Sequence, residues 1–486
     1  MIYMSVIEGL EPKLVWKHFD EIRKIPRCSK HEEKIREYIV NFAKNNNLKY
    51  KIDKTGNVVV SKPASSGMEN KPTLILQGHM DMVCEKNNDV DFDFTKDPIK
   101  LKRNGDILTA DGTTLGADDG IGVAIALAIL EDTSLKHGPL EALFTVDEET
   151  GLTGAFALES NMLTGKIMLN LDSEDFGVIT VGCAGGGESK IELPVKTQEI
   201  DESFDSIIVK VSGLRGGHSG VDKHEQRGNA IKILARILWK ANKKHKFYIS
   251  EIKGGDKHNA IPREAYAKIS IDKKEKDNFI STLKSEEKDI LEEIKPIDPN
   301  FKINIENSEK HDTTLTNEIQ DKILNLLHGL PHGVDKMNYD IPNLVDTSTN
   351  LATVAFKNEN IEIGMSSRSS IKSALQDMRD RINAIASLAG AKVTEDKPYP
   401  GWKPNMNSKL LKLSKKIFED MFKQEPEIEA IHAGLETGII GEKFPGMDMI
   451  SIGPTIKYPH SPEEQVHIST VEKFYKYVLK ILEEVN

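Results

Sequence analysis

The chain has 486 residues, of which 38% are hydrophobic and 29% charged, a composition typical of a soluble globular protein with more than one domain. Acidic residues outnumber basic ones by 76 to 65, and the net charge of −11 argues against nucleic acid or an anionic membrane surface as the main partner. The N-terminal stretch lacks the basic and apolar regions of a signal peptide, and no apolar run is long enough to span a bilayer. We therefore expect a cytoplasmic protein.

The cysteines are few and widely spaced. Cys28, Cys84 and Cys183 form no CxxC pair, which argues against a disulfide scaffold and against a cysteine-ligated zinc site. Cys84 is predicted to be a packed thiol.

The N-terminal third alternates helical and strand-like segments. Ser29 and Glu32 form a capping-box pattern, after which apolar residues recur at helical spacing. The segments GNVVVSK, TLILQG, LEALFTV and KIMLNL have the length and apolar content of buried strands, and residues 120–132 form a helix that is apolar all round. This alternation predicts an α/β layer with a mainly parallel central sheet.

The pattern changes after the glycine-rich segment VGCAGGGESK. No GK[ST] follows this segment, so it is not a Walker phosphate loop, and we interpret it as a hinge or domain exit. Two βαββα-like halves then follow, and residues 392–404, rich in proline and charge, have the composition of a linker. The sequence therefore predicts a discontinuous catalytic domain (1–187 and 396–486) with an inserted α+β lid domain (188–395).

Acidic and imidazole side chains follow the predicted strands of the first domain. Ligands gather beyond the carboxyl ends of strands in open α/β sheets. Each of these side chains alone could be a solvated loop residue, but together they predict a catalytic site for two divalent ions, since His, Asp and Glu without Cys suit catalytic zinc. The candidates are His79, Asp81, Asp118, Asp119, Asp147, Glu148, Glu149, Asp172 and His460.

Neither HExxH nor GxSxG occurs, so the helix-borne metalloprotease motif and the serine nucleophile motif are both absent. The motifs that do occur, GHMDMV, TTLGADDGIG, TVDEETGLTGA, LNLDSED and YPHSPEE, resemble those of the dinuclear zinc exopeptidases, the family of peptidase T and carboxypeptidase G. With GCAGGG, GLRGGHSG and HNAIPREA the resemblance covers essentially the whole chain, and it is greatest to the dipeptidases of that family.

The resemblance implies a residue for each part of the metal centre: Asp118 bridging both ions, His79 and Asp172 on one ion, Glu149 and His460 on the other, Asp81 orienting His79, and Glu148 as general base. It also implies a cis peptide bond between Asp118 and Asp119. In the lid it implies contacts with the substrate from His218, Asn259, Arg368 and Gly434.

The function implied is metal-dependent hydrolysis of unblocked L-dipeptides, Xaa-His among them, by a cytoplasmic homodimer. A hydroxide shared by two ions would attack the carbonyl, with zinc as the expected metal and cobalt or manganese as alternatives. A tripeptidase or an acyl-amino-acid deacylase on the same scaffold remains an alternative. A noncatalytic metal- or peptide-binding protein is a further alternative, which Glu148 disfavours because binding alone needs no base.

Overall fold

The computed structural model describes residues 6–486, and the first five residues of the stretch considered for a signal peptide lie outside it. The chain divides into two compact units. The first unit comprises the residues through Gly182 together with Trp402–Ala430 and Leu435–Asn486, and the second comprises Cys183–Gly401 and Ile431–Gly434. In the part of the chain that the structure describes, no helix is both long and apolar enough to cross a membrane.

The first stretch of the chain alternates helices and strands, as the sequence predicts. Its elements are α1 (Lys13–Ile22), α2 (Glu33–Asn45), β1 (Lys49–Ile52), β2 (Val58–Lys62), β3 (Leu74–His79), β4 (Leu101–Asn104), β5 (Ile107–Ala110), α3 (Ala117–Glu131), β6 (Leu140–Thr145), α4 (Glu148–Gly151), α5 (Thr153–Ala157), β7 (Ile167–Asn170) and β8 (Val178–Cys183).

The middle of the chain is richer in long strands and holds one short 3-10 helix, Lys223–Glu225. Its other elements are β9 (Gly185–Pro194), β10 (Thr197–Glu199), β11 (Phe204–Ser212), β12 (Gly217–His218), α6 (Ala230–Asn242), β13 (Phe247–Gly254), β14 (Ala260–Ile261), β15 (Ala265–Asp272), α7 (Lys276–Ile294), β16 (Lys302–Asn307), β17 (Thr313–Leu315), α8 (Asn317–Gly329), β18 (Gly333–Met337), β19 (Val345–Lys357), β20 (Asn360–Ser369), α9 (Lys372–Leu388) and β21 (Lys392–Glu395).

The α/β pattern then resumes. The last elements are α10 (Lys409–Phe422), β22 (Glu427–Ile431), α11 (Glu436–Lys443), β23 (Asp448–Ser451), β24 (Ile456–Lys457), β25 (Gln465–His467) and α12 (Ile468–Glu484).

The main sheet of the first unit has the strand order β1-β2-β6-β3-β7-β23-β8-β22. Its central strands β6, β3, β7 and β23 are parallel neighbours, which confirms the predicted mainly parallel sheet. Helix α3 packs against β3 and α1, and nearly all of its residues are buried. A helix enclosed in this way needs an apolar surface all round, which explains its sequence. A second sheet of the order β24-β25-β5-β4 completes the unit.

The second unit is built on one antiparallel sheet of the order β16-β11-β15-β13-β19-β20-β9-β21, with β18 pairing β19. The predicted order of strands and helices in two halves is present along the chain. The pairing is not that of two self-contained halves, because β16 joins the edge of the first half at β11 while β9 pairs with β20. Helices α6 to α9 contribute to one buried apolar core with this sheet.

The glycine-rich segment runs beside the segment that returns from the second unit. Gly186 pairs with Tyr399, and a Cβ on Gly185 would lie 2.5 Å from the backbone nitrogen of Gly401. A side chain at Gly185 therefore has no room.

The predicted linker is wrong at its start, where Lys392–Glu395 forms β21 and pairs with β9.

The prediction that Cys84 is a packed thiol is also wrong, because Cys84 forms a disulfide with Cys28. The two residues are 56 positions apart in sequence, so spacing could not indicate the pair. A parallel bridge between Cys28 and Met82 brings the two segments together, with 5.7 Å between the Cα atoms of the cysteines. Cys183 is buried and lies outside this disulfide.

Candidate metal centre

Three adjacent parallel strands deliver the candidate ligands to one edge of the sheet. Strand β3 ends at His79, β6 ends two residues before Asp147, and β7 ends two residues before Asp172. The turn into α3 supplies Asp118, and the loop after β24 supplies His460. Local sequence therefore places each side chain, and the strand pairing brings them together.

The ligand atoms form two groups that share one residue. In the first group His79 Nε2 lies 3.1 Å from Asp118 Oδ1 and 3.3 Å from Asp172 Oδ1. In the second group His460 Nε2 lies 3.2 Å from Asp118 Oδ2 and 2.9 Å from Glu149 Oε2. The two oxygens of Asp118 thus face two different histidines.

These distances fit divalent ions. Donor atoms held about 2.0–2.1 Å from a tetrahedral zinc ion lie about 3.3 Å from one another. The separations of 2.9–3.3 Å within each group match that geometry. One oxygen of Glu149 is buried without a hydrogen-bond partner, which leaves a lone pair for a cation.

The charge of the site also favours cations. Burial and the neighbouring Asp118 raise the pKa of Asp172 to about 7, although His79 opposes the shift. Hydrogen bonds to Asp118 and Glu149 raise the pKa of His460 to about 11. Neighbouring carboxylates contribute to both shifts, and bound cations would relieve their repulsion.

Asp81 lies behind His79, with its Oδ1 atom 3.4 Å from the Nδ1 atom of the imidazole. Ser29 Oγ donates to Asp81 at 2.8 Å, and the backbone N–H groups of Glu148 and Glu149 donate to it at 3.1 and 3.2 Å. Burial alone would raise the pKa of Asp81, but the proximity and charge of His79 and the hydrogen bonds from the other donors lower it to about 2. A carboxylate held in this way fixes the tautomer of a ligating imidazole.

The capping box predicted from Ser29 and Glu32 is wrong. Helix α2 begins at Glu33, and neither side chain caps it. Ser29 instead donates to Asp81, while Glu32 accepts the backbone N–H groups of Lys30 and Asp147 at 2.7 and 3.0 Å. Both residues hold the loops that carry the candidate ligands.

Glu148 lies beside the ligands, since its carboxylate, His79 and Glu149 each place an atom within 4.8 Å of the others. Burial and the carboxylates of Asp172 and Glu436 raise the pKa of Glu148 well above its usual range, against the opposing charge of His79. The side chain is therefore suited to accept a proton. The backbone joins Asp118 to Asp119 by a cis peptide bond, which confirms that implication of the resemblance.

A buried polar layer precedes the ligands on the same strands, and sequence analysis missed it. Glu436 of α11 accepts hydrogen bonds from Gln77 at 2.7 Å and from Thr145 at 2.6 Å. Gln77 in turn accepts from Asn170 at 2.7 Å. Burial raises the pKa of Glu436 to about 8, against the hydrogen bond from Thr145. The layer ties together the three strands that end at the candidate ligands.

In the second unit, His218 is held in one tautomer. Its Nδ1 atom accepts the backbone N–H groups of Gly220 at 3.2 Å and Val221 at 3.0 Å. Burial and the charge of Arg368 lower the pKa of the ring. The neutral imidazole therefore carries its proton on Nε2 and can donate a hydrogen bond from that atom.

Arg368 lies close to His218, because a Cβ on Gly220 would lie 3.1 Å from Arg368 Nε and 3.2 Å from His218 Cε1. The Arg368 side chain is buried and donates to the Tyr399 hydroxyl at 2.7 Å. Its Nε atom has no hydrogen-bond partner among the described residues. A buried guanidinium with an unused donor is a binding site for an anion.

Gly434 and Asn259 are also found in this unit. Gly434 contacts the Tyr399 ring, which leaves 3.0 Å between that ring and a Cβ built on the glycine. Asn259 is exposed, and its backbone oxygen accepts from the N–H of Ser219 at 2.8 Å. Sequence analysis missed two further residues near Arg368, Tyr399 and His432. Tyr399 lies in the expected linker, and no motif in the sequence connects His432 with Arg368.

Comparison with known proteins shows the family to which the chain belongs. Residues 75–484 match the family model of peptidase family M20/M25/M40. The cytosol non-specific dipeptidase of Escherichia coli K12 is 39% identical over 482 residues, which cover 99% of both chains.

Solved structures agree as well. The crystal structure of an aminoacylhistidine dipeptidase from Vibrio alginolyticus superimposes with a TM-score of 0.94 at 38% identity, covering 100% of this chain and 99% of that one. The aminopeptidase PepT from Bacillus cereus shares the fold at a TM-score of 0.56 and 17% identity, covering 98% of this chain and 99% of that one. The chain therefore belongs to the M20/M25/M40 peptidase family, which confirms the resemblance seen in its motifs.

The shared residue Asp118 makes a prediction about metal content. Replacing Asp118 by Ala should release both ions, because both ligand groups lose a donor, whereas Glu149→Ala should release one. Metal per chain, measured by mass spectrometry after gel filtration, tests this. Asp175→Asn, at an exposed residue near Asp172, is the control and should retain both ions. Loss of a single ion from Asp118→Ala would show that Asp118 does not bridge.

Proposed function

We propose that this protein hydrolyses unblocked L-dipeptides, Xaa-His among them, at a centre of two divalent ions. The observation that carries the proposal is Asp118, whose two oxygens each face a separate imidazole and carboxylate. The names of the Escherichia coli and Vibrio alginolyticus relatives, both dipeptidases, support the choice of substrate.

We assign one ion to His79, Asp172 and Asp118, and the other to His460, Glu149 and Asp118. Imidazoles and carboxylates without cysteine favour zinc, with cobalt or manganese as alternatives. When bound, the two ions would supply Lewis acidity, lowering the pKa of a water molecule and polarising the scissile carbonyl.

Glu148 is the general base in this mechanism. Its carboxylate takes the proton of the attacking water and returns it to the leaving amine. Asp81 keeps the imidazole of His79 oriented, with Nε2 toward Asp118 and Asp172, where it would be available to an ion. The two adjacent glutamates therefore have different roles, since Glu149 would bind a metal ion and Glu148 transfers a proton.

His218 and Arg368 bind the substrate. The Nε2–H of His218 donates to the carbonyl oxygen as it gains negative charge, because its Nδ1 atom is already occupied by backbone N–H groups. Arg368 pairs with the terminal carboxylate of the dipeptide, with Asn259 and Gly434 completing the contacts. We call this ion pair between Arg368 and the terminal carboxylate the charge clamp. It selects peptides by length and not by side chain, so many side chains are accepted.

We further propose that the protein acts in the cytoplasm as a homodimer. The name of the Escherichia coli relative, a cytosol enzyme, supports the location. The assembly is carried over from the family resemblance, and sedimentation velocity tests it.

Replacing Glu148 by Gln should abolish turnover while both ions stay bound, because the amide keeps the shape of the side chain but accepts no proton. Removal of a positioned general base typically costs about 10²–10⁴-fold in rate. The measurements are kcat on Ala-His and metal per chain in the same preparation. Loss of metal from this variant would make Glu148 a ligand and reverse its role with Glu149.

Replacing His218 by Ala should lower kcat by about 10²–10³-fold with metal content intact, since one donor to the oxyanion is lost. The assay uses saturating dipeptide. His224→Ala removes an exposed histidine of the same segment and should leave kcat unchanged. Equal kcat values for the two variants would reduce His218 to a residue that stabilises a turn.

The charge clamp predicts a preference for a free carboxyl terminus. The wild-type enzyme should cleave Ala-His faster than Ala-His amide by about 10–100-fold in kcat/KM, the value of a charge-assisted hydrogen bond. In Arg368→Met this preference should largely vanish, whereas the control Arg215→Met, at an exposed arginine that pairs with Glu225, should keep it. An unchanged preference in Arg368→Met would place the carboxylate elsewhere.

The same assay separates the alternatives. A tripeptidase would prefer Ala-Ala-His, and an acyl-amino-acid deacylase would prefer N-acetyl-histidine. A noncatalytic binding protein would turn over none of these substrates with zinc, manganese or cobalt added.

A further inference from the structure

Glu464 follows His460 by four residues, and its side chain is buried with 2% of its surface exposed. Its carboxylate accepts four consecutive backbone N–H groups of the turn into α3. Oε2 accepts from Leu115 and Gly116 at 2.7 and 2.9 Å, and Oε1 accepts from Ala117 and Asp118 at 2.7 and 3.2 Å.

This arrangement has a clear physical basis. N–H groups at the start of a helix have no partner within the helix and carry a partial positive charge, which favours an anion there. Gly116 takes a positive φ of 68°, a conformation that glycine adopts without strain, and this turns the successive N–H groups toward one point. The carboxylate occupies that point.

A buried cation holds the other side of the same turn. The guanidinium of Arg27, which is 2% exposed, donates to the carbonyl oxygen of Gly116. It also donates to the carbonyl oxygens of Met80 at 3.1 Å and Asp81 at 2.5 Å. The peptide groups of Gly116 are therefore held by Glu464 through the N–H and by Arg27 through the C=O.

We propose that Glu464 is a positioning residue that fixes Asp118 relative to His460 and so sets the affinity of the ion that these two residues share with Glu149. The inference rests on the proposed dinuclear function. Glu464 touches no reacting atom; it acts through the backbone N–H of Asp118 on one side and through its own loop, which carries His460, on the other. The two ligands come from segments 342 residues apart, and Glu464 joins those segments by four hydrogen bonds in addition to the contact between His460 and Asp118.

Replacing Glu464 by Gln tests the proposal. The amide keeps the shape of the side chain, but its NH₂ group faces two backbone N–H donors that then lose their acceptor. The full-length chain, loaded with zinc, is titrated with a chelator, and retained zinc per chain is measured by mass spectrometry. Glu464→Gln should release its first ion at a chelator concentration about 10–100-fold lower than the wild type, the usual effect of losing a residue that orients a ligand.

Glu463→Gln is the matched control, since it makes the same chemical change at the exposed neighbouring residue. It should release zinc as the wild type does. If Glu464→Gln does not fold, as judged by circular dichroism, Glu464→Asp replaces it. Aspartate keeps the charge but retracts the carboxylate by one methylene, so it should also release zinc at a chelator concentration at least tenfold lower than the wild type.

The outcomes are distinct. Release of zinc by the Glu464 variant at the same chelator concentration as Glu463→Gln would overturn the positioning role and leave the proposed function standing. A wild-type chain that retains no zinc and cleaves no dipeptide would overturn the proposed function and this inference with it. A tenfold or larger difference confined to the Glu464 variant supports the inference, and rescue by excess zinc would separate weakened binding from lost chemistry.

Discussion

Crowding of carboxylates in a buried place is the constraint on which the first unit depends. Asp81, Asp118, Glu436 and Glu464 are all buried near one edge of the sheet, and Arg27 is a buried cation among them. Burying a charge without partners is expensive, so each carboxylate needs donors or a cation. Backbone N–H groups serve Glu464 and Asp81, side-chain donors serve Glu436, and the ligand carboxylates face imidazoles with donor spacing suited to metal ions.

This division explains why the site is built from so many separate segments. The backbone donors that serve Asp81 and Glu464 lie in turns and at helix starts, and these occur where the strands end. The ligands, the residues that orient them and the backbone donors therefore all lie at the same edge of the sheet. The loops that meet there serve both the folding of the unit and the proposed chemistry.

The parts of the site that could be predicted are those that local sequence marks. His79, Asp118, Glu149 and Asp172 each border an apolar segment, and the carboxyl ends of parallel strands meet at one edge, so their convergence followed from the pattern. Residues that act across long separations left no such mark. Glu436 and Tyr399 lie in segments with no periodic signal that links them to the strands or to Arg368.

Some sequence patterns also had two physical meanings. Ser29 and Glu32 have the spacing of a capping box, yet their hydrogen bonds go to Asp81 and to the backbone of Asp147. The same polar groups that can satisfy a helix start can satisfy any other exposed donor or acceptor. The sequence carries no sign of the disulfide between Cys28 and Cys84, because only the folded contact between their segments brings the two cysteines together.

The polar layer on strands β3, β6 and β7 has a consequence for how this protein can change during evolution. Gln77 and His79 lie two residues apart on one strand, so they share a face, where Gln77 bonds to Glu436 and His79 faces the other candidate ligands. A single-residue insertion or deletion between them would turn one of the two to the opposite face. A change of strand length at this edge would therefore disturb either the polar layer or the candidate metal centre, whereas the loops beyond the candidate ligands are not bound to this two-residue spacing.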